Sequence, residues 1–131
     1  MKKKNILFVC KFNRFRSKVA ETYFNKINKD KNFKARSAGL IRGSPLDKRQ
    51  VKLAKKFGIK IKGNPKGLST KLFFWNDITI IVADNVPLEI FEGNKRYGKE
   101  LIVWKIEDKN TNIPKIMKKV DQLIKDLEKT K

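Results

Sequence analysis

The sequence predicts an α/β domain in which a parallel sheet is covered by helices on both faces. Short apolar runs of strand length alternate along the chain with segments whose apolar residues recur at helical spacing. The runs, such as residues 78–83, are apolar almost throughout, which is typical of strands buried on both faces. The length of 131 residues suits one hydrophobic core. We therefore expect a single domain over residues 1–131.

The first half of the chain predicts two strands and two helices. The strands cover residues 6–9 and 33–38, and the helix between them ends near residues 28–31. Ser44 is predicted to cap the second helix, because a proline follows in the first turn and an acid stands three residues on. Gly58 is placed at the C-terminal cap. The residues of this helix expected to face the core are Leu46, Val51, Ala54 and Phe57.

The second half predicts two more strands, over residues 78–83 and 101–104, with short helices before and between them. Ser69 can cap the first short helix, and the second begins at Asn85-Val86-Pro87 and ends at Gly93. Pro114 fits the first turn of a last helix. The apolar face of that last helix consists of Ile116, Val120, Leu123, Ile124 and Leu127.

The segment between the first strand and the first helix has the features of a phosphate-binding loop. A loop that ends a strand and opens a helix points its backbone N–H groups, with the positive end of the helix dipole, at one place. Cys10, the only cysteine, stands at the strand end, where these groups and Arg16 favour the nucleophilic thiolate. Arg16 offers a planar fork of donors that matches two phosphate oxygens. Ser17 can donate a hydrogen bond to the sulfur.

Acidic residues follow the third and the fourth predicted strands. Asp84 and Asn85 come after the third strand, and Glu107 and Asp108 come after the fourth. Ligands of open parallel sheets bind outside the carboxyl ends of the strands. We therefore expect these residues to share one edge of the sheet with the Cys10 loop. Capping of the following short helix is the favoured interpretation for Asp84.

These motifs together resemble the low-molecular-weight protein tyrosine phosphatases, whose fold is shared by the thioredoxin-coupled arsenate reductases. The resemblance implies a three-layer, flavodoxin-like fold with a four-stranded parallel sheet in the order 2-1-3-4 and helices on both faces. It extends along almost the whole chain. The segments that carry it are Cys10-x5-Arg16-Ser17, Ser37-Ala38-Gly39, Gly58-Ile59, Leu68-Ser69, Ala83-Asp84-Asn85 and Ile106-Glu107-Asp108.

The resemblance implies a cysteine-dependent phosphomonoester hydrolase that acts through a cysteinyl-phosphate and needs no metal or cofactor. Cys10 would be the nucleophile, Arg16 would hold the phosphate charge, and Asp108 would be the acid for the leaving group, with Glu107 beside it as a rival. The substrate would be a phosphorylated protein or a small phosphomonoester. The phosphate-binding residues would be Lys11, Phe12, Asn13, Arg14, Phe15, Arg16 and Ser17.

Three departures from the family pattern keep two alternatives open. Phe12 replaces the usual glycine, Phe15 replaces a second cysteine that many members carry, and Lys109 replaces the proline after the acid. Residues 109–112 also lack the aromatic side chains that line the phosphotyrosine slot. The alternatives are an arsenate reductase-like enzyme that uses an external thiol, and a non-catalytic relative that binds phosphate or nucleic acid.

The net charge of +20 predicts a positive field that attracts anionic substrates. The lysines are scattered through every segment, so a solvated surface is favoured over a specific nucleic-acid site. The apolar runs are too short to span a membrane or to form a secretory signal. A single unpaired cysteine fits a reducing compartment, and we expect a cytoplasmic protein without a membrane partner.

Overall fold

The computed structural model describes residues 3–129 and contains a four-stranded parallel sheet between two layers of helices. The strands stand in the order β2-β1-β3-β4, as expected from the resemblance, so the predicted fold class is confirmed. Among the described residues, no helix is long and apolar enough to cross a bilayer. The strands are β1 (Lys4–Cys10), β2 (Phe33–Gly39), β3 (Ile78–Val82) and β4 (Glu100–Trp104).

Five helices and two 3₁₀ turns connect the strands. One layer contains α1, α2 and α5, and the other contains α3 and the first 3₁₀ turn. The helices are α1 (Arg16–Ile27), α2 (Lys48–Lys56), α3 (Thr70–Trp75), α4 (Gly93–Arg96) and α5 (Ile113–Lys129), and the 3₁₀ turns are Leu88–Phe91 and Asn110–Asn112.

Strand β1 is buried on both faces, which explains its unbroken apolar run. Because side chains alternate along a strand, Ile6 and Phe8 pack toward α1 and α5, whereas Leu7 and Val9 pack toward α3. The Phe8 ring lies 6.0 Å from that of Phe24, edge to face. This burial fixes the end of β1, and with it the start of the loop that follows.

Helix α2 begins at Lys48, three residues later than predicted. Asp47, not Ser44, is the N-cap, and its side chain accepts a hydrogen bond of 2.8 Å from the Arg49 N–H. The chain before it is held by Arg14, whose guanidinium donates to the Ser44 and Pro45 carbonyls. Those carbonyls are therefore engaged outside the helix.

Two further expectations for the connecting segments need correction. Phe57 is 40% exposed, because it occupies the C-cap of α2 and lies outside its apolar face. The segment after β3 is not one helix ending at Gly93, since the 3₁₀ turn stops at Phe91 and Gly93 begins α4. Gly58 does occupy the position after the C-cap with φ of 76°, as its predicted capping role requires.

Candidate active site

The loop from Cys10 to Arg16 turns its carbonyl groups away from the end of β1. The carbonyls of Cys10, Lys11 and Phe12 accept hydrogen bonds of 3.0–3.2 Å from N–H groups of residues 40–43. Within residues 3–129, none of the N–H groups of residues 11–18 donates a hydrogen bond. These donors and the start of α1 therefore form a cradle in which an oxyanion can be held.

Two glycines permit the close contact between this loop and the segment after β2. A Cβ atom on Gly39 would lie 2.7 Å from the backbone nitrogen of Asn13. A Cβ atom on Gly43 would lie 2.7 Å from the carbonyl oxygen of Phe12. Side chains at either position would push the two segments apart and open the cradle.

Asn13 is the fully buried centre of the loop. Its φ of 54° places it in the left-handed region, which asparagine tolerates better than most residues. Its Nδ2 donates to the Oγ atoms of Ser17 (2.8 Å) and Ser37 (2.9 Å). Its Oδ1 accepts from the Lys66 N–H at 2.9 Å. One side chain thus connects the loop to the start of α1, to β2 and to the segment before α3.

The left-handed backbone conformation of the loop falls on Asn13 and not on Phe12, so the replacement of the usual glycine by Phe12 causes no backbone strain. The backbone at Phe12 has no positive φ, and its ring is 37% exposed with the Lys11 Nζ 5.3 Å from the ring centre. Phe15 points the other way and is buried in the core. Neither phenylalanine fills the cradle, although both border its opening.

Cys10 lies buried at the floor of this cradle. Its Sγ is 3.0 Å from the Ser17 Oγ, which in turn accepts a hydrogen bond from Asn13. Since one lone pair of the hydroxyl is engaged by Asn13, the Ser17 hydroxyl can donate its proton to the sulfur. The Ser17 hydroxyl is therefore placed as a hydrogen-bond donor to the Cys10 sulfur.

Arg16 is 3% exposed and brings three strand ends together. Its Nη1 donates to the Ile106 carbonyl at 2.9 Å, and its Nη2 donates to Asn85 Oδ1 at 3.0 Å. Asp84 Oδ1 lies 3.5 Å from Nη1. Asp84 therefore pairs with Arg16, and the prediction that it caps the next helix is wrong, since that turn has Pro87 at its N-cap and no side-chain cap.

Of the two adjacent acids after β4, Asp108 faces the cradle. Its Oδ1 lies 3.9 Å from Arg16 Nε, and it borders the same cavity as Cys10. Glu107 points to Lys109, whose Nζ is 2.9 Å from its Oε2. The hydrogen bond and the charge of Lys109 lower the pKa of Glu107. A carboxylate held ionised by a neighbouring lysine is poorly suited to donate a proton.

The cavity above Cys10 has a volume of about 90 Å³, which suits a tetrahedral oxyanion. Arg14 borders it, but its guanidinium is engaged by the Ser44 and Pro45 carbonyls. Asp47 and Gln50, which the sequence did not single out, also border it from α2. The only signal for Asp47 was its place at a helix start. Among residues 3–129, no group of three or more His, Cys, Asp or Glu side chains could hold a metal ion.

This chain is similar to known proteins in its sequence pattern and in its fold. The family model described as "Low molecular weight phosphotyrosine protein phosphatase" matches residues 5–130. The search of curated proteins gave no match.

Solved structures share the fold at low sequence identity. YwlE arginine phosphatase from Geobacillus stearothermophilus is 16% identical with a TM-score of 0.81, over 97% of this chain and 94% of that chain. A low molecular weight protein tyrosine phosphatase from T. tengcongensis is 23% identical with a TM-score of 0.72, over 98% and 100%. The Corynebacterium glutamicum thioredoxin-dependent arsenate reductase Cg_ArsC1' is 21% identical with a TM-score of 0.76, over 100% of this chain and 64% of that chain.

Replacing Asn13 tests whether one side chain holds the loop. We expect Asn13→Ala to lower the free energy of unfolding by about 2–4 kcal/mol, because it removes three buried hydrogen bonds and places alanine at a positive φ. Asn13→Gly should cost less, since glycine accepts that φ and only the hydrogen bonds are lost. Urea denaturation measures both. A loss below about 0.5 kcal/mol for Asn13→Ala would contradict the role assigned to Asn13.

Proposed function

Because this chain belongs to the low molecular weight phosphotyrosine protein phosphatase family, we propose that it hydrolyses phosphomonoesters through a cysteinyl-phosphate intermediate. The observation that carries the proposal is the position of the Cys10 sulfur. It lies beneath a cavity of oxyanion size, bordered by free N–H groups and by the buried Arg16 guanidinium. Such donors stabilise charge on the equatorial oxygens of a phosphoryl group during transfer.

The first step forms a bond between Cys10 Sγ and phosphorus as the bond to the leaving group breaks. Asp108, protonated at this stage, gives its proton to the leaving oxygen. In the second step water attacks phosphorus, the S–P bond breaks, and the Asp108 carboxylate takes the proton of the water. Inorganic phosphate leaves and Cys10 returns to its thiolate. Arg16 keeps its charge throughout.

Asp84 and Asn85 have a positioning role in this scheme. Both contact the guanidinium of Arg16 at its terminal nitrogens, together with the Ile106 carbonyl. The Nε side of Arg16 faces Asp108 at 3.9 Å. These contacts fix the orientation of the Arg16 guanidinium. The side chain therefore needs little reorientation when phosphate binds.

The mouth of the cavity favours a second candidate substrate beside aryl phosphates, namely phosphoarginine. In a chain of net charge +20, two carboxylates, Asp47 and Asp108, border this opening. Phe12 offers a half-exposed ring against which a phenol could pack. A guanidinium leaving group would instead form an ion pair with the carboxylate of Asp47 at the cavity opening. The fold similarity to YwlE arginine phosphatase supports testing both substrates side by side.

The other two alternatives have less support. Arsenate reduction in a chain whose only cysteine is Cys10 would need an external thiol to resolve the intermediate. A purely non-catalytic phosphate binder does not explain why Asp108, rather than Glu107, borders the cavity beside the sulfur.

The leaving-group dependence of hydrolysis identifies the acid. Without added metal, we expect the protein to hydrolyse a chromogenic aryl phosphate. Asp108→Asn should lower the rate on alkyl phosphates by about 10²–10⁴-fold. The loss on aryl phosphates with good leaving groups should be much smaller, because those groups need no proton. Steady-state kinetics over a series of leaving groups measures this, with Glu107→Gln as the matched control. If Glu107→Gln shows the same selective loss and Asp108→Asn does not, the acid is misassigned.

Asp47 can be tested through the ratio of two substrates. Asp47→Asn removes the charge but keeps a good N-cap residue, so α2 should stay intact. We expect kcat/KM for phosphoarginine peptides to fall by about 3–10-fold while kcat/KM for phosphotyrosine peptides stays unchanged. An equal fall for both substrates would contradict the role of Asp47 in selecting phosphoarginine. No hydrolysis of phosphoarginine peptides by the parent protein would remove phosphoarginine as a substrate.

A further inference from the structure

A second cavity, of about 390 Å³, shares none of the residues that border the catalytic cavity. It lies between α1, β2 and the segment before α3. Four lysines border it, against a single carboxylate, that of Glu21. The four lysines are Lys18, Lys60, Lys62 and Lys66.

Lys18 distinguishes this cavity from the general surface charge of the chain. It is 5% exposed, and its Nζ donates to the Lys62 carbonyl at 3.0 Å. Burial lowers the pKa of Lys18. The charges of Glu21 and Cys10 act in the opposite direction, and the charge of Lys66 lowers the pKa further. Lys18 is therefore a buried ammonium group at the wall of the cavity, with the ammonium group of Lys66 near it.

Glu21 carries one negative charge against the four lysines of the cavity. Its carboxylate accepts a hydrogen bond from the Ser37 hydroxyl. The other three lysines are exposed residues of one segment, 60–66, so their ammonium groups can contact an anion in the cavity while they stay hydrated. A bound dianion would reduce the repulsion between Lys18 and Lys66 and would balance the excess of positive charge around the cavity.

We propose that this cavity is a second anion site, distinct from the catalytic loop, that binds the phosphate groups of a small phosphorylated compound. Lysines bind phosphate as point charges, without the fixed geometry of an arginine fork. The volume exceeds that of the catalytic cavity, so it has room for a diphosphate or for a phosphate carried on a larger group. Ser37 connects the two sites, because it borders this cavity and accepts a hydrogen bond from Asn13.

The test is a titration of the full chain with pyrophosphate and, separately, inorganic phosphate, followed by amide ¹H–¹⁵N spectra. We expect two saturable sets of shifts with different Kd values, one at residues 11–17 and one at residues 60–66 with Lys18 and Ser37. Lys60→Gln combined with Lys62→Gln should raise Kd of the second set by about tenfold or more. The Kd of the first set should change by less than about twofold.

The matched control is Lys118→Gln combined with Lys125→Gln, which removes the same charge from exposed positions on α5. We expect this pair to leave both Kd values within about twofold of the parent. Shifts confined to residues 11–17 would overturn the proposal. Equal weakening by the cavity pair and the control pair would also overturn it, because binding would then follow the diffuse charge. Neither outcome depends on turnover, so failure of this site is distinguished from failure of the proposed hydrolase.

Discussion

The geometry of the catalytic loop depends on the hydrogen bonds of one buried side chain, that of Asn13. A loop that presents its N–H groups to a ligand cannot use them to hold itself together, so its conformation must be fixed by other contacts. Asn13 provides these by connecting Ser17, Ser37 and the Lys66 N–H in a single network. It also takes the one left-handed position of the loop. The cradle is therefore preformed, and Phe12 can occupy its position in the loop without a positive φ.

Arg16 is the second constraint, because it fixes the distance between the loop and the other strand ends. Its buried guanidinium is held by groups that follow β3 and β4, and its Nε faces Asp108. Carboxylates are thus concentrated at the active-site edge of a strongly basic protein. The basic surface attracts anions in general, whereas under the proposed function the acidic edge would favour a substrate whose remaining part is neutral or cationic.

The strands and the strand-to-helix loop could be predicted from the sequence because they rest on local signals, whereas the strand order came from the family resemblance. Unbroken apolar runs identify strands buried on both faces, and Cys10 with Arg16 after such a run predicts an anion-binding loop. What could not be predicted depends on contacts between distant segments. The engagement of Ser44 by Arg14 moves the start of α2, and that shift brings Asp47 to the cavity. Asp84 was predicted to cap the short helix that follows it. Its partner is instead Arg16, which lies 68 positions earlier in the chain.

The most direct test of this account is the rate of aryl phosphate hydrolysis by Cys10→Ser, measured without metal beside the binding of phosphate to the same variant. The account predicts that turnover falls by about 10³-fold or more, because the hydroxyl is a far weaker nucleophile than the thiolate. Phosphate should still bind, because the N–H cradle and Arg16 remain. A Cys10→Ser rate within about tenfold of the parent rate would contradict the assignment of the sulfur as nucleophile.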